Sequence, residues 1–168
     1  GIYQNRWIGR HLARLYDSKI KEWDQDPAKL GQAIEVISGQ EIEAAKQEEK
    51  NELLEWINSH PEFMPLGEPS PEDLLDQNTL TIGFARRFVP YKRASLVFYD
   101  INRLREVGYK KIQLVFAGNV YENDPFSQEL VSLIDKRADE LRGQIKIALI
   151  PYYNLEVGKK LVTGCDVW

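Results

Sequence analysis

Apolar runs that alternate with helix-length segments most limit how this chain can fold. Short runs rich in β-branched and aromatic residues lie at 79–85, 112–118 and 145–150, and a further run begins at 166–168. Helical patterns follow them at 92–107, 124–141 and 155–162. Strands that alternate with helices form parallel βαβ units, and runs that are apolar on both faces indicate a sheet covered by helices. The sequence therefore predicts an α/β fold with a Rossmann-like parallel sheet.

Two amphipathic helices are predicted ahead of the sheet. Apolar residues between Trp7 and Trp23 recur at the three-and-four spacing of one helix face, and a second helix is predicted over 39–60. His11 lies on the first face without a second histidine or a carboxylate at ligand spacing, so we interpret it as a packed core histidine rather than a metal ligand or base. The charge run at 46–50 is interpreted as a solvated face of the second helix.

A proline-rich segment separates these helices from the sheet. Four prolines interrupt any periodicity there: Pro61, Pro65, Pro69 and Pro71. This pattern indicates a loop or linker with at most a short turn of helix, which Ser70 can begin. The predicted organisation is a helical lead-in at 1–60, a linker at 61–78 and a βαβαβα core at 79–168.

Composition excludes several classes of function. The 168 residues are 43% hydrophobic and 29% charged, as in soluble globular proteins, and no apolar run approaches the roughly 20 residues that span a bilayer. A net charge of -4 gives no support for nucleic-acid binding. The single cysteine, Cys165, excludes an internal disulfide and a cysteine-based metal site, and its apolar neighbours indicate a small core residue. We predict no metal site and no membrane or nucleic-acid partner.

The first residues of the chain show neither an initiating methionine nor a secretory signal. They lack an initiating methionine, and they also lack the basic start, apolar stretch and small-residue cleavage site of a secretory signal. From the missing methionine we expect a fragment of a longer protein, and from the single cysteine we expect that protein to be cytoplasmic.

Four cations lie between the first predicted strand and its helix: Arg86, Arg87, Lys92 and Arg93. Ligands of such sheets bind beyond the carboxyl ends of the strands, where we expect the loops at 86–92, 118–124 and 151–154 to converge. Lys92 and Arg93 are expected in the first turn of the helix, where cations are unfavourable unless an anion offsets them. A phosphate is the natural candidate, and a solvated charge cluster is the alternative.

Residues 83–94 resemble the phosphate-site segment of α-glucan phosphorylases, especially their short bacterial branch. The resemblance continues, in the same order and spacing, through 115–118, 151–154 and 165–168, and it reaches back to 46–50, 6–7 and 1–2. Nearly the whole chain is covered. The resemblance implies the GT-B glycosyltransferase fold, which has two Rossmann-like domains, and it matches this chain to the first half of the carboxyl-terminal domain.

The resemblance also implies an activity. Family members use inorganic phosphate to split the end of an α-1,4-glucan, which releases glucose 1-phosphate, and they carry pyridoxal phosphate on a lysine later in their sequence. Arg87 and Lys92 match the pair that holds the substrate phosphate. Arg86 matches the basic residue that faces the cofactor phosphate, and Tyr153 matches a tyrosine at the cofactor. Because the attachment lysine is absent from this chain, we expect the chain alone to be catalytically inactive.

Several positions depart from the family pattern. Val89 and Pro90 stand where animal-type enzymes have histidine and glutamate, Asn119 stands where lysine is common, and Asn154 stands where animal-type enzymes have arginine. Two other interpretations stay open. One is a nucleotide-sugar glycosyltransferase of the glycogen-synthase type, because such enzymes also use an arginine and a lysine five residues apart. The other is a non-catalytic phosphate-binding domain. Homo-oligomerisation also stays open.

Overall fold

The computed structural model describes residues 7–65, 67 and 69–168, and the resemblance at 1–2 and at residue 6 lies outside them. In the described part, strands β1 (Leu80–Ala85), β2 (Ile112–Ala117) and β3 (Lys146–Ile150) form a parallel sheet in the order β1-β2-β3. In its register, Phe84 lies beside Phe116 and Phe116 beside Leu149. The predicted α/β fold with a Rossmann-like parallel sheet is confirmed.

The far edge of β1 also has a neighbour. Val167 forms a parallel bridge with Ile82, and the Val167 carbonyl accepts a hydrogen bond of 2.8 Å from the Gly83 N–H. The run that begins at 166 is therefore aligned beside β1, on the side opposite β2. This order corresponds to one half of a Rossmann sheet, and it places the point where the strand order reverses next to β1.

The helices in the described residues are α1 (Arg10–Lys19), α2 (Ala33–Val36), α3 (Gly39–Asn58), α4 (Ile101–Gly108), α5 (Pro125–Glu140) and α6 (Leu155–Gly164). Short 3₁₀ turns occupy Pro27–Gln32, Pro61–Phe63, Pro90–Lys92 and Ala94–Phe98. No helix in this part of the chain is long and apolar enough to cross a membrane.

Side-chain caps determine where several of these helices begin. Ser38 and Glu41 form a capping box at the start of α3, in which each side chain accepts a hydrogen bond from the other residue's backbone N–H. Asp100, Asp124 and Asn154 accept backbone hydrogen bonds at the starts of α4, α5 and α6. The helices that cover the sheet are therefore fixed in position by local sequence as well as by packing.

Helices cover both faces of the sheet. On one face, α3 and α6 pack against the sheet through a cluster that includes Leu53, Ile57, Val115, Ile150 and Leu161. On the other face, α4, α5 and the 94–98 turn pack through Phe98, Leu104, Leu114, Phe116 and Ile134. These residues are almost fully buried, and burying a large apolar side chain stabilises a fold by about 1.5–3 kcal/mol.

The first helix is shorter than its apolar pattern predicts. α1 ends at Lys19, and Glu22 has a φ of 58°, so Ile20 and Trp23 lie outside the helix. Both are nevertheless buried, in a small cluster with Ile37. His11 is half-buried rather than part of the core, and its Nε2 lies 2.7 Å from Glu52 Oε1.

The proline-rich segment packs against the core. Phe63, Met64 and Leu75 are buried in the cluster beneath α3, and the Asn58 side chain makes two hydrogen bonds to the Leu75 backbone. Ser70 begins a turn in which its N–H and hydroxyl both donate to the Asp73 carboxylate. The segment is an irregular loop attached to the sheet and to α3.

Candidate functional site

The loops that follow β1, β2 and β3 meet at the carboxyl edge of the sheet. The Arg86 N–H donates to the Ala117 carbonyl at 3.3 Å, and the Gly118 N–H donates to the Ile150 carbonyl at 3.2 Å. The Tyr153 N–H donates to Asn119 Oδ1 at 2.8 Å. The predicted convergence of these loops is confirmed.

Gly118 lets the first and second loops come into direct contact. A Cβ atom at this position would lie 2.6 Å from the Phe88 ring and 2.8 Å from the Arg86 carbonyl oxygen. Phe88 is itself buried in the core between the sheet and α5. Phe88 therefore fastens the middle of the cationic loop, residues 86–93, to the sheet. The charged residues on either side of Phe88 are exposed.

The predicted helix at 92–107 is wrong in its first half. Pro90–Lys92 forms a 3₁₀ turn, Arg93 adopts the left-handed conformation with φ 53° and ψ 42°, and α4 begins only at Ile101. The left-handed residue interrupts any helix that starts at Lys92, and the Asp100 cap starts a new one. Lys92 and Arg93 are therefore not in the first turn of an α-helix, and the helix-dipole argument for an anion does not apply.

The cations of the loop after β1 have no acidic partners in the part of the chain that the structure describes. Arg86, Arg87, Lys92 and Arg93 are all exposed, and none lies within 4 Å of a carboxylate among the described residues. Other arginines do have such partners: Arg10, Arg103, Arg137 and Arg142. The loop after β1 is therefore a concentration of positive charge that the fold does not neutralise.

Tyr91 brings two of these cations together. Arg87 Nη2 donates to Tyr91 Oη at 3.2 Å, and Lys92 Nζ lies 4.9 Å from the centre of the Tyr91 ring. The sequence pointed to Arg87 and Lys92 but assigned no role to the tyrosine between them. The position of Tyr91 next to Lys92 could have indicated this contact, because lysine ammonium groups are attracted to aromatic faces.

Cavities alone do not identify the site. One of about 450 Å³ borders the loop and is lined by Lys92, Arg93 and apolar residues of β1 and β2. Another of about 440 Å³ lies at the opposite edge of the sheet, beside Asp76 and Lys146. In the second cavity these two side chains form an ion pair of 3.1 Å, so their charges are already matched. Lys110 also lines the second cavity, so a cation without an acidic partner among the described residues borders both cavities, and the first is distinguished by its position at the loop after β1.

Tyr153 lies at the same edge, half-buried against the core cluster. A Cβ at Gly158 would lie 2.6 Å from Tyr153 Oη, so the phenol packs directly on the first turns of α6. Asn154 caps that helix by accepting from the Val157 N–H at 2.8 Å. Asn119 and Asn154, which depart from the family pattern, thus hold the third loop in place.

The interpretation of the charge run at 46–50 as a solvated face of the helix is wrong, because part of the run is buried. Glu49 and Lys50 are only 5% and 6% exposed, so this part of α3 is not a solvated face. Lys50 Nζ donates to Asp166 Oδ2 at 2.6 Å and to the Thr79 carbonyl at 2.9 Å. The spacing contained a signal for this, because residues 46, 50, 53 and 57 fall on one helix face and the last two are core residues.

The same network reaches β1 and α1. Asp166 Oδ2 also accepts from the Thr81 N–H at 2.7 Å, so one carboxylate joins Lys50 to the edge of the sheet. Lys46 donates to the Thr163 carbonyl at the end of α6. Glu49 accepts from the His11 N–H at 2.5 Å and so caps α1, whose N-cap residue, Gly9, has no side chain. Together these contacts connect both lead-in helices to the sheet.

Cys165 lies beside this network and is buried. Burial, with a smaller contribution from the charge of Asp166, raises the pKa of its thiol to about 12. Its interpretation as a small core residue is confirmed. Within residues 7–65, 67 and 69–168, no three histidine, cysteine, aspartate or glutamate side chains come together as metal ligands would.

Comparison with known proteins supports the family resemblance, although no protein family model matches the chain. The whole chain is similar to part of a maltodextrin phosphorylase of Thermococcus litoralis (29% identity) and to part of a glycogen phosphorylase of Aquifex aeolicus (28% identity). Over 55% of its length it is 36% identical to a glycogen phosphorylase of Mycobacterium tuberculosis. The chain spans only 21%, 26% and 11% of the lengths of these relatives.

Proposed function

Because the chain is similar along its whole length to parts of maltodextrin and glycogen phosphorylases, we propose that its parent protein is an α-glucan phosphorylase. The parent transfers glucosyl units from the ends of an α-1,4-glucan to inorganic phosphate and forms glucose 1-phosphate. In this proposal the chain is the first half of the carboxyl-terminal domain of a cytoplasmic GT-B enzyme. The lead-in at 1–60, the loop at 61–78 and the α/β core at 79–168 are parts of that domain.

The observation that carries this proposal is the pair of unneutralised cations at the carboxyl end of β1. Arg87 and Lys92 lie on either side of Tyr91, at the edge where α/β sheets bind ligands. Arginine offers phosphate two parallel N–H donors, and lysine offers a compact point charge. We assign the binding of substrate phosphate to these two residues.

Their chemical contribution follows from where their charge is fixed. A phosphate that attacks or leaves a sugar carries negative charge, and cations that the second domain of the proposed enzyme would enclose in a water-poor cleft stabilise the charge that develops in the transition state. Arg87 orients the phosphate oxygens, and Lys92 lowers the cost of bringing the anion into the cleft. Both residues act by binding and orientation, so their loss is expected to affect both the KM for phosphate and turnover.

Arg86 and Tyr153 suit pyridoxal phosphate at the neighbouring position. The Arg86 guanidinium is exposed, and no carboxylate in the described part of the chain pairs with it, which suits a phosphate group. The close packing of Tyr153 on Gly158 fixes a phenol at the same edge. When bound, the cofactor supplies a second phosphate beside the substrate phosphate. Arg86 then offsets the repulsion between the two anions.

The test is formation of glucose 1-phosphate from maltodextrin by the full-length protein, with and without inorganic phosphate. We expect phosphate-dependent product. Arg87→Ala and Lys92→Ala should each lower kcat/KM for phosphate by roughly 10- to 100-fold, the range expected for a hydrogen bond to a charged group. Arg103→Ala and Lys136→Ala, which change exposed cations on α4 and α5, are the matched controls.

Two results would contradict the proposal. Glucan extension from a sugar nucleotide, without phosphorolysis, would favour the glycogen-synthase type of enzyme. Phosphate binding without any transfer would favour the non-catalytic domain. Normal phosphate kinetics in both Arg87→Ala and Lys92→Ala would remove the site assignment even if phosphorolysis were observed.

A further inference from the structure

Tyr91 makes two different contacts with the two cations assigned to phosphate. Its hydroxyl accepts a hydrogen bond of 3.2 Å from Arg87, and its ring lies 4.9 Å from the Lys92 ammonium. The tyrosine is nevertheless 64% exposed, so it does not serve to fill the core. Its contacts with Arg87 and Lys92 therefore indicate a role in holding these two cations.

The backbone accounts for the proximity of the three side chains. The Val89 N–H donates to the Arg87 carbonyl at 2.9 Å, and the Lys92 N–H donates to the Val89 carbonyl at 3.0 Å. These two tight turns fold residues 87–92 back on themselves and bring the side chains of Arg87 and Tyr91 to one side. The contact between them is therefore built into the loop.

A neutral partner orients a cation without cancelling its charge. Arg103 and Arg142 are oriented by Glu106 and Asp73, and each of these ion pairs neutralises the arginine. A phenol hydroxyl and an aromatic ring hold a cation by hydrogen bonding and by the ring quadrupole while its full positive charge is retained. Long cationic side chains also lose rotamer freedom when they bind a ligand, and holding them beforehand reduces that loss.

We propose that Tyr91 is a positioning residue that holds Arg87 and Lys92 in the arrangement that receives phosphate. This inference rests on the proposed function. It assigns the hydroxyl to Arg87 and the ring to Lys92, so the two parts of one side chain have separable effects. Tyr91→Phe removes only the hydroxyl, and Tyr91→Leu removes both contacts.

The experiment measures the KM for phosphate and kcat in the full-length protein. We expect Tyr91→Phe to raise the KM for phosphate roughly threefold and Tyr91→Leu about tenfold, as for the loss of one and of two weak contacts. Tyr109→Leu is the matched control, because Tyr109 is also followed by a lysine, is 52% exposed and lies 5.5 Å from the Lys110 ammonium, but is remote from the loop. We expect Tyr109→Leu to leave phosphate kinetics unchanged.

A double-mutant cycle separates positioning from a general structural effect. In an Arg87→Ala background, Tyr91→Phe should no longer change the KM for phosphate, because the hydroxyl has lost its partner. The same threefold change in both backgrounds would overturn the inference, and so would an unchanged KM in both Tyr91 variants. If the unsubstituted protein formed no phosphate-dependent product, the proposed function itself would fail, which is a different outcome.

Discussion

Residues 46–50 and 86–93 both concentrate charged side chains in a short stretch, and the fold uses the two stretches in opposite ways. Lys50 is buried, and its ammonium is bound by Asp166 and the Thr79 carbonyl. Arg87 and Lys92 are exposed, and their nearest polar or aromatic contacts are with the uncharged Tyr91. The first set of charges is satisfied inside the protein. The second set keeps its charge available at the edge of the sheet.

The difference lies in what faces each segment. α3 packs against α6 and lies beside Thr79 and Asp166, so Lys46 and Lys50 meet two carbonyl oxygens and a carboxylate. The loop after β1 faces solvent, and neither Glu122 nor Asp124 of the neighbouring loop forms an ion pair with its cations. The Lys50 side chain is 7% exposed and that of Asp166 is 31% exposed, so removing one partner from this largely buried pair leaves a poorly compensated charge, whereas removing an exposed cation costs the fold very little. The two segments should therefore respond very differently to mutation.

The largest expected effect follows from removing the buried ammonium. Lys50→Met keeps most of the side-chain volume but leaves the Asp166 carboxylate and the Thr79 carbonyl without their partner, so we expect a loss of about 3 kcal/mol in the free energy of unfolding. Urea unfolding measures it. Lys136→Met, on the exposed face of α5, is the control and should change stability by less than about 0.5 kcal/mol. Equal effects of the two substitutions would remove the contrast drawn above.

The second prediction concerns alkaline pH near the buried network. Because burial raises the pKa of Cys165 from 9.0 to about 12, the neutral thiol contributes stability that is complete below about pH 9 and is lost as pH rises towards 12. By pH 11 the loss should be roughly 2–3 kcal/mol at 1.36 kcal/mol per unit of pKa. Unfolding curves between pH 8 and 11 should show this loss in the unsubstituted protein beyond that of Cys165→Ala. Parallel pH profiles would contradict it.

A smaller effect is expected where the network caps α1. Glu49→Gln keeps an oxygen that can accept from the His11 N–H but removes the negative charge at the helix N-terminus, so we expect a loss of about 1 kcal/mol. Glu48→Gln makes the same chemical change at the next residue, which is exposed, and serves as the control. Urea unfolding followed by helical circular dichroism distinguishes the two. A larger loss in Glu48→Gln would show that Glu49 does not cap α1.

The smallest effect on stability is expected in the cationic loop. Arg87→Ala and Lys92→Ala remove exposed charges without acidic partners, so each should change the free energy of unfolding by less than about 0.5 kcal/mol. The same proteins should show the loss in phosphate kinetics described above. A stability loss of 2 kcal/mol or more in either variant would mean that the loop serves the fold, and the comparison between the two segments would fail.

The elements built on local signals could be predicted from the sequence. The helix expected at 39–60 is observed as Gly39–Asn58, and the capping box at Ser38 explains where it begins. The strand expected at 112–118 is observed as Ile112–Ala117, because a run of apolar residues in an α/β pattern has few alternatives. The position of the cationic loop at the carboxyl edge followed from the same pattern.

Features that depend on tertiary contacts or on an unfavourable backbone conformation could not be predicted from local sequence patterns. Arg93 adopts a left-handed conformation that arginine does not favour, so no local preference indicated that the helix would start only at Ile101. The burial of Lys50 required Asp166, which is 116 residues away in the sequence. The role inferred for Tyr91 depends on the turns at 87–92, which bring its hydroxyl to Arg87.

The ion pair between Lys50 and Asp166 also sets an order of events during synthesis. At about 5–20 residues per second, the 116 residues between them take roughly 6–23 s to be made. During that interval Lys50 has been made while the acid that neutralises it has not yet been added. The strands β1, β2 and β3 are complete by residue 150, before α3 can form this pair. The contact between Lys50 and Asp166 is therefore expected to form only after all three strands have been synthesised.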